Sequence, residues 1–82
     1  MFTVYILHSE KYDKIYVGFT SNIEQRILSH NKLGKKGYTI KYRPWRLVYS
    51  ENYVTKRMAM KREKNLKSGQ GRQWIRNNLS NW

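Results

Sequence analysis

Residues 14–31 read KIYVGFTSNIEQRILSHN: a β-branched and aromatic strand, a glycine, then a helix. Ile15, Tyr16 and Val17 favour extended structure because branched and ring side chains pack well on a pleated surface. Gly18 at the strand end permits close approach of a backbone or a phosphate, or simply a bulge or turn. Ser21-Asn22-Ile23-Glu24 has the spacing of a capping box, with the Ser21 oxygen predicted to accept the Glu24 amide. Ile23, Ile27 and Leu28 form the apolar stripe of the helix. Arg26 and His30 are one turn apart on a border of that stripe, since residues separated by four share a helix face. A border position suits a side chain that the core holds and a cleft uses. For either residue alone, a solvated arginine or a surface histidine is the plainer account.

Outward from this stretch, residues 2–7 (FTVYIL) have strand propensity and few polar groups, as in a strand covered on both faces. Residues 9–14 are polar and turn-like, so the first two strands are predicted to pair as an antiparallel hairpin. Tyr5 and Tyr16 then face the same side of the sheet if the register allows it. Residues 32–43 (KLGKKGYTIKYR) read as an exposed, mobile loop. There Lys35, Lys36, Lys41 and Arg43 offer phosphate contacts, while Tyr38 and Tyr42 offer flat faces for an unstacked base. A solvated basic loop whose tyrosines cover the core edge explains the same residues equally well. A third strand is predicted at 46–51 and a long helix at 55–68, stopped by Gly69. A short final helix follows at 71–79. In the long helix Thr55, Ala59, Arg62, Glu63 and Leu66 share the inward face. Glu63 is thus one of five acids in the chain, set on the inner side of a lysine-rich helix. A carboxylate placed there needs a cation. Arg62, Arg26 or a lysine would make a structural ion pair, and a divalent metal would make a functional site.

The ordered set of Val4-Tyr5-Ile6, Tyr16-Val17-Gly18, Arg26 with His30, and Glu63 just before Leu66-Lys67 resembles the GIY-YIG nuclease superfamily, closest to its small standalone bacterial members. The first tripeptide lacks the family's glycine, and the second is a conservative variant. Gly37-Tyr38-Thr39 and Arg43-Pro44 extend the likeness. The resemblance implies an α+β fold, a small three-stranded antiparallel sheet flanked by helices, over a single domain at 1–82. It implies a metal-dependent DNA endonuclease in which Tyr5 and Tyr16 orient or deprotonate water and Glu63 binds Mg²⁺ or Mn²⁺. Tyr5 is preferred as the base, with Tyr16 bonding phosphate or water. On ordinary pKa grounds His30 is the rival. The planar fork of Arg26 suits phosphate oxygens.

Composition sets the bounds. The chain has 82 residues with 17 Lys+Arg against 5 Asp+Glu, a net charge of +12. A short chain this basic favours a polyanion, because each neutralised phosphate releases condensed counterions. DNA is the expected partner, with RNA as the alternative. The absence of cysteine excludes disulfide staples and cysteine zinc sites. No apolar run reaches the ~18 residues of a membrane span, so a cytoplasmic protein without a membrane partner is expected. Charge does not separate a nuclease, structure-specific and tied to DNA repair, from two other classes. These are a non-catalytic DNA- or RNA-binding module on the same scaffold, and a basic interaction protein of a repair or ribosomal assembly.

Overall fold

A computed structural model describes residues 1–33 and 38–79. Three strands, β1 (Phe2–Ser9), β2 (Lys14–Thr20) and β3 (Arg46–Tyr53), form an antiparallel sheet in the order β2-β1-β3. The central place of β1 explains its apolar run, since Val4, Tyr5, Ile6 and Leu7 are all buried. Alternation sends Val4 and Ile6 to one face and Tyr5 and Leu7 to the other.

Helix α1 (Ile23–Leu28) runs into a π-helical turn (Ser29–Leu33), followed by the short helix α2 (Tyr38–Lys41). Helices α3 (Lys56–Lys67) and α4 (Gly69–Asn78) close the chain. Val4, Ile6 and Val17 pack with Ala59 and Leu66 of α3 and Ile75 of α4. Across the sheet, Tyr5, Leu7 and Trp45 form a second core, with Tyr16, Ile23, Ile27 and Tyr42 packed against it.

The expected α+β sheet-and-helix architecture is present, with several local differences. The cap of α1 is Asn22 rather than Ser21: its side chain accepts the Gln25 amide at 3.1 Å. Thr20 Oγ1 accepts the Asn22 amide and so fixes the entry one residue later than the capping box. Leu28 is exposed, and of the predicted stripe only Ile23 and Ile27 pack against the second core. Part of the segment read as a loop is helical, in the π-turn and in α2. Gly69 does not stop α3. Ser68 does, with extended backbone at φ −70°, ψ 168°, and it also caps α4 by accepting the Gly71 amide at 3.1 Å. Gly71 is what the corner needs. A Cβ there would lie 2.2 Å from the Asn65 carbonyl oxygen and 2.5 Å from Leu66 Cα. Among the described residues, no helix is long and apolar enough to cross a membrane.

Candidate active site

The β1–β2 register pairs Tyr5 with Gly18 and Leu7 with Tyr16, which puts both tyrosines on one face. Their ring centroids are 6.2 Å apart. Gly18 makes room for this: a Cβ would come within 2.6 Å of the Tyr5 hydroxyl and 3.1 Å of the Tyr16 ring. The glycine is therefore needed for the tyrosine opposite it, beyond any turn requirement.

His30 enters from the π-helical turn rather than from the regular helix that its spacing from Arg26 predicts, because α1 ends at Leu28. Its Nε2 lies 2.9 Å from the Tyr5 hydroxyl, and its ring centroid lies 4.8 Å from that of Tyr16. Both Tyr5 and His30 are buried, at 1% and 7% exposed. Burial, then the neighbouring charges of Arg26 and Arg43, hold the His30 pKa below the usual histidine range. Burial, followed by Tyr16, drives the Tyr5 hydroxyl well above its usual range, with Glu63 adding to the rise and Arg26 opposing it. At neutral pH the pair is therefore a protonated phenol against a neutral imidazole. In the tautomer with its proton on Nδ1, the ring accepts the phenol's hydrogen at Nε2.

The π-helical turn is held by side chains. Arg43 Nε donates to the His30 carbonyl at 2.6 Å, and its terminal nitrogen donates to the Ser29 carbonyl at 3.3 Å. Asn31 donates to the Trp45 carbonyl at 3.0 Å and accepts the Trp45 amide at 2.6 Å. Trp45 itself is buried beside Tyr16, with centroids 6.3 Å apart. Neither Asn31 nor Trp45 was singled out from sequence, because only the fold brings residues 29–31 against 43–45.

Arg26 is exposed on α1, yet its charge acts on both Tyr5 and His30. Glu63 is 21% exposed on α3, and Lys67 Nζ lies 3.5 Å from its Oε1, a pairing one turn along the helix. The cation is thus a lysine rather than Arg62 or Arg26. Glu-to-Lys spacing of four is a recognisable helical signal. Arg62 instead turns to β3, where Nε meets Glu51 Oε1 at 2.9 Å and Nη2 meets Oε2 at 3.0 Å. Tyr5, Tyr16 and His30 meet in contact, and Arg26 and Glu63 lie near enough for their charges to act on the Tyr5 hydroxyl.

The loop residues are more dispersed. Lys35 and Lys36 lie outside the described residues, as does the side chain of Tyr38, whose backbone begins α2. Tyr42 is half-buried against the second core. Lys41 and Lys14 approach its ring at 5.4 and 5.6 Å. Tyr12, from the β1–β2 turn, meets it edge-on at 5.3 Å.

Residues 1–77 match the family profile described as the GIY-YIG catalytic domain. The chain is 42% identical over 65 residues to a UPF0213 protein of Staphylococcus haemolyticus, a match covering 79% of this chain and 78% of that one. A UPF0213 protein of Staphylococcus saprophyticus is 43% identical over 54 residues, 66% of each chain. The solution NMR structure of a UPF0213 protein from Bacillus halodurans has a TM-score of 0.56 at 29% identity, covering 96% of this chain and 87% of that one.

Proposed function

The chain belongs to the GIY-YIG family of catalytic domains, and we propose that it is a divalent-metal-dependent endonuclease that hydrolyses phosphodiester bonds in DNA. The observation that carries this reading is the 2.9 Å contact between Tyr5 and His30, with Arg26 and Glu63 acting on the same hydroxyl. Tyr5 and His30 work as a pair, not as rival bases. A water at the phenol gives its proton to the Tyr5 oxygen while the Tyr5 proton passes to His30 Nε2. The hydroxide then attacks phosphorus, and the leaving oxygen departs with the electrons of the broken P–O bond. Such a relay fits a phenol that resists ionisation and an imidazole that is neutral at pH 7, since a useful base must begin unprotonated. Arg26 holds non-bridging phosphate oxygens with its exposed fork.

The residues present fit a hard cation. Glu63 offers a carboxylate and the tyrosines offer phenolic oxygens. Among the described residues, no three His, Cys, Asp or Glu side chains gather as a metal cage. Mg²⁺ and Mn²⁺ suit such a site because they bind through one or two carboxylates plus water and phosphate. When bound, the ion supplies Lewis-acid stabilisation of the charged phosphate.

The small domain has little surface for reading a long sequence, so DNA shape or ends are the proposed determinant. The net charge of +12 also supports a non-catalytic nucleic-acid-binding module. A cleavage screen over flaps, forks, nicks and single strands, with magnesium or manganese, tests the two. The nuclease reading expects cuts that Tyr5→Phe and Glu63→Gln abolish. Binding to every substrate with no cut in any would leave the binding module.

A further inference from the structure

The edge strand β2 and the α3–α4 corner enclose a basic cleft. It consists of two adjoining hollows of about 250 Å³ each, which share Ile15 and Arg72 in their walls. The first opens beside Tyr16 and is walled on the helix side by Leu66 and Lys67. The second continues to Lys14, Asp13 and Arg76. We infer that this cleft seats the sugar–phosphate backbone of DNA on one side of the scissile bond, an inference that rests on the nuclease reading.

Four cations border the cleft: Lys14 on the strand wall, and Lys67, Arg72 and Arg76 on the helix wall. Of the acids nearby, Glu63 pairs with Lys67. Asp13 is engaged by His8 at 3.0 Å and by Arg76 at 3.3 Å, and those hydrogen bonds hold its carboxyl below the usual range. The cleft is thus positive overall, and its positive charge lies on both walls. The strand wall has a further property. Among the described residues β2 is an edge strand of the sheet, and outward main-chain N–H groups of such an edge suit phosphate oxygens. The cleft also leads somewhere useful, because Tyr16 on its rim stands 6.2 Å from Tyr5 and 4.8 Å from His30, ring centre to ring centre.

The helix wall is a product of the tight corner. Ser68 ends one helix and caps the next, and Gly71 lets α4 start against the backbone of Leu66. That turn brings Lys67 and Arg72 to one wall. The segment 32–43, which sequence alone marks as the grip, meets the cleft at Lys14, whose Nζ lies 5.6 Å from the centre of the Tyr42 ring, while Lys67, Arg72 and Arg76 add a wall from another part of the chain.

The test compares two charge-matched double variants. Lys14→Gln with Arg72→Gln removes two cleft cations, both exposed. Lys56→Gln with Arg57→Gln removes two exposed cations from the start of α3, away from the cleft. Anisotropy of a fluorescein-labelled branched DNA duplex is followed through a salt titration without divalent metal, and thermal melts accompany each variant. The cleft variant should bind about tenfold more weakly at physiological salt, with the slope of log affinity against log salt shallower by about two. The control should keep a wild-type slope and lose far less affinity. Equal losses in the two variants would overturn the cleft, as would a wild-type protein that does not bind this DNA. The nuclease reading is judged separately, by wild-type cleavage with magnesium. Selective loss in the cleft variant beside a wild type that never cuts would keep the cleft and sink the nuclease.

Discussion

Arg62 and Glu63 are neighbours on α3 and belong to two different clusters. Arg62 reaches β3, where Glu51 takes its guanidinium through both oxygens and also accepts the hydroxyls of Tyr49 and Tyr53. Trp74 of α4 lies under the same guanidinium, 5.5 Å from its carbon. Glu63 acts through its charge on Tyr5 and has Lys67 Nζ 3.5 Å away. Both clusters contain tyrosine, arginine and glutamate, but they differ in how far those groups satisfy one another. Around Glu51 each charged group faces its complement. Burial alone would raise the Glu51 pKa, and the hydrogen bonds from Arg62, Tyr49 and Tyr53 more than reverse it. Around Tyr5 the charges do not close on one another: Arg26 is exposed, and among the described residues no carboxylate pairs with it. A closed network spends its charges on stability. An open one keeps them for a substrate.

The largest effect that would test this contrast is on turnover. Glu63→Gln should lower cleavage about a hundredfold or more, the scale of removing one electrostatic stabiliser of a transition state. Its chemical melt should stay close to wild type, and DNA affinity should hold or rise as a negative charge leaves the site. A badly destabilised Glu63→Gln would move Glu63 into the structural class. Next is Glu51→Gln, expected to cost about 3 kcal/mol of stability. That is the lower end of the range for stripping one partner from a buried pair, because Arg62 is 30% exposed. Urea unfolding measures it, and turnover per folded molecule should be unchanged.

Arg26→Lys should cost less, roughly tenfold in cleavage, since a point charge replaces a two-pronged fork. A lysine variant with full activity would remove Arg26 from the phosphate role. The pH profile comes next. The His30 pKa is depressed in the fold, so neutral His30 is favoured there. Its contribution to stability is present above the unfolded histidine value and is lost as pH falls through the lower folded value. Cleavage should therefore persist at pH values where an ordinary histidine, ~6.5 in peptides, is already charged, and then fall in more acid buffer. A rate profile that breaks at the peptide value would undo the Tyr5–His30 relay. The smallest effect is Lys67→Met. It breaks a half-exposed helical pair and should change stability by only about 0.3–0.5 kcal/mol in a thermal melt.

Much of this was legible one residue at a time. The central strand announced itself by an unbroken apolar run, and α3 by the inward spacing of Ala59, Glu63 and Leu66. Where two neighbouring residues could do the same local job, the outcome depended on contacts. Asn22 and Ser21 are both good caps, and Thr20 decided between them. Gly69 and Ser68 both end helices, and the approach of α4 to Leu66 decided there. Glu51 carried no local mark, since a glutamate on a strand reads as solvent-facing until Arg62 is known to stand across from it.

By itself, the sequence determined the alternation that buries β1 on both faces, the positions of Tyr5, Tyr16, Arg26 and Glu63 on their elements, and the excess of positive charge. Those properties are local or additive, so they survive without coordinates. Only the tertiary structure decided that Tyr5 faces Gly18 and touches His30, that Arg62 and Glu63 part company, and that Lys14 and Arg72 border one cleft. Each of these depends on a register, a helix rotation or a corner. Those are set by the packing of residues distant in the chain, where a one-residue slip would carry the same side chain to the opposite face.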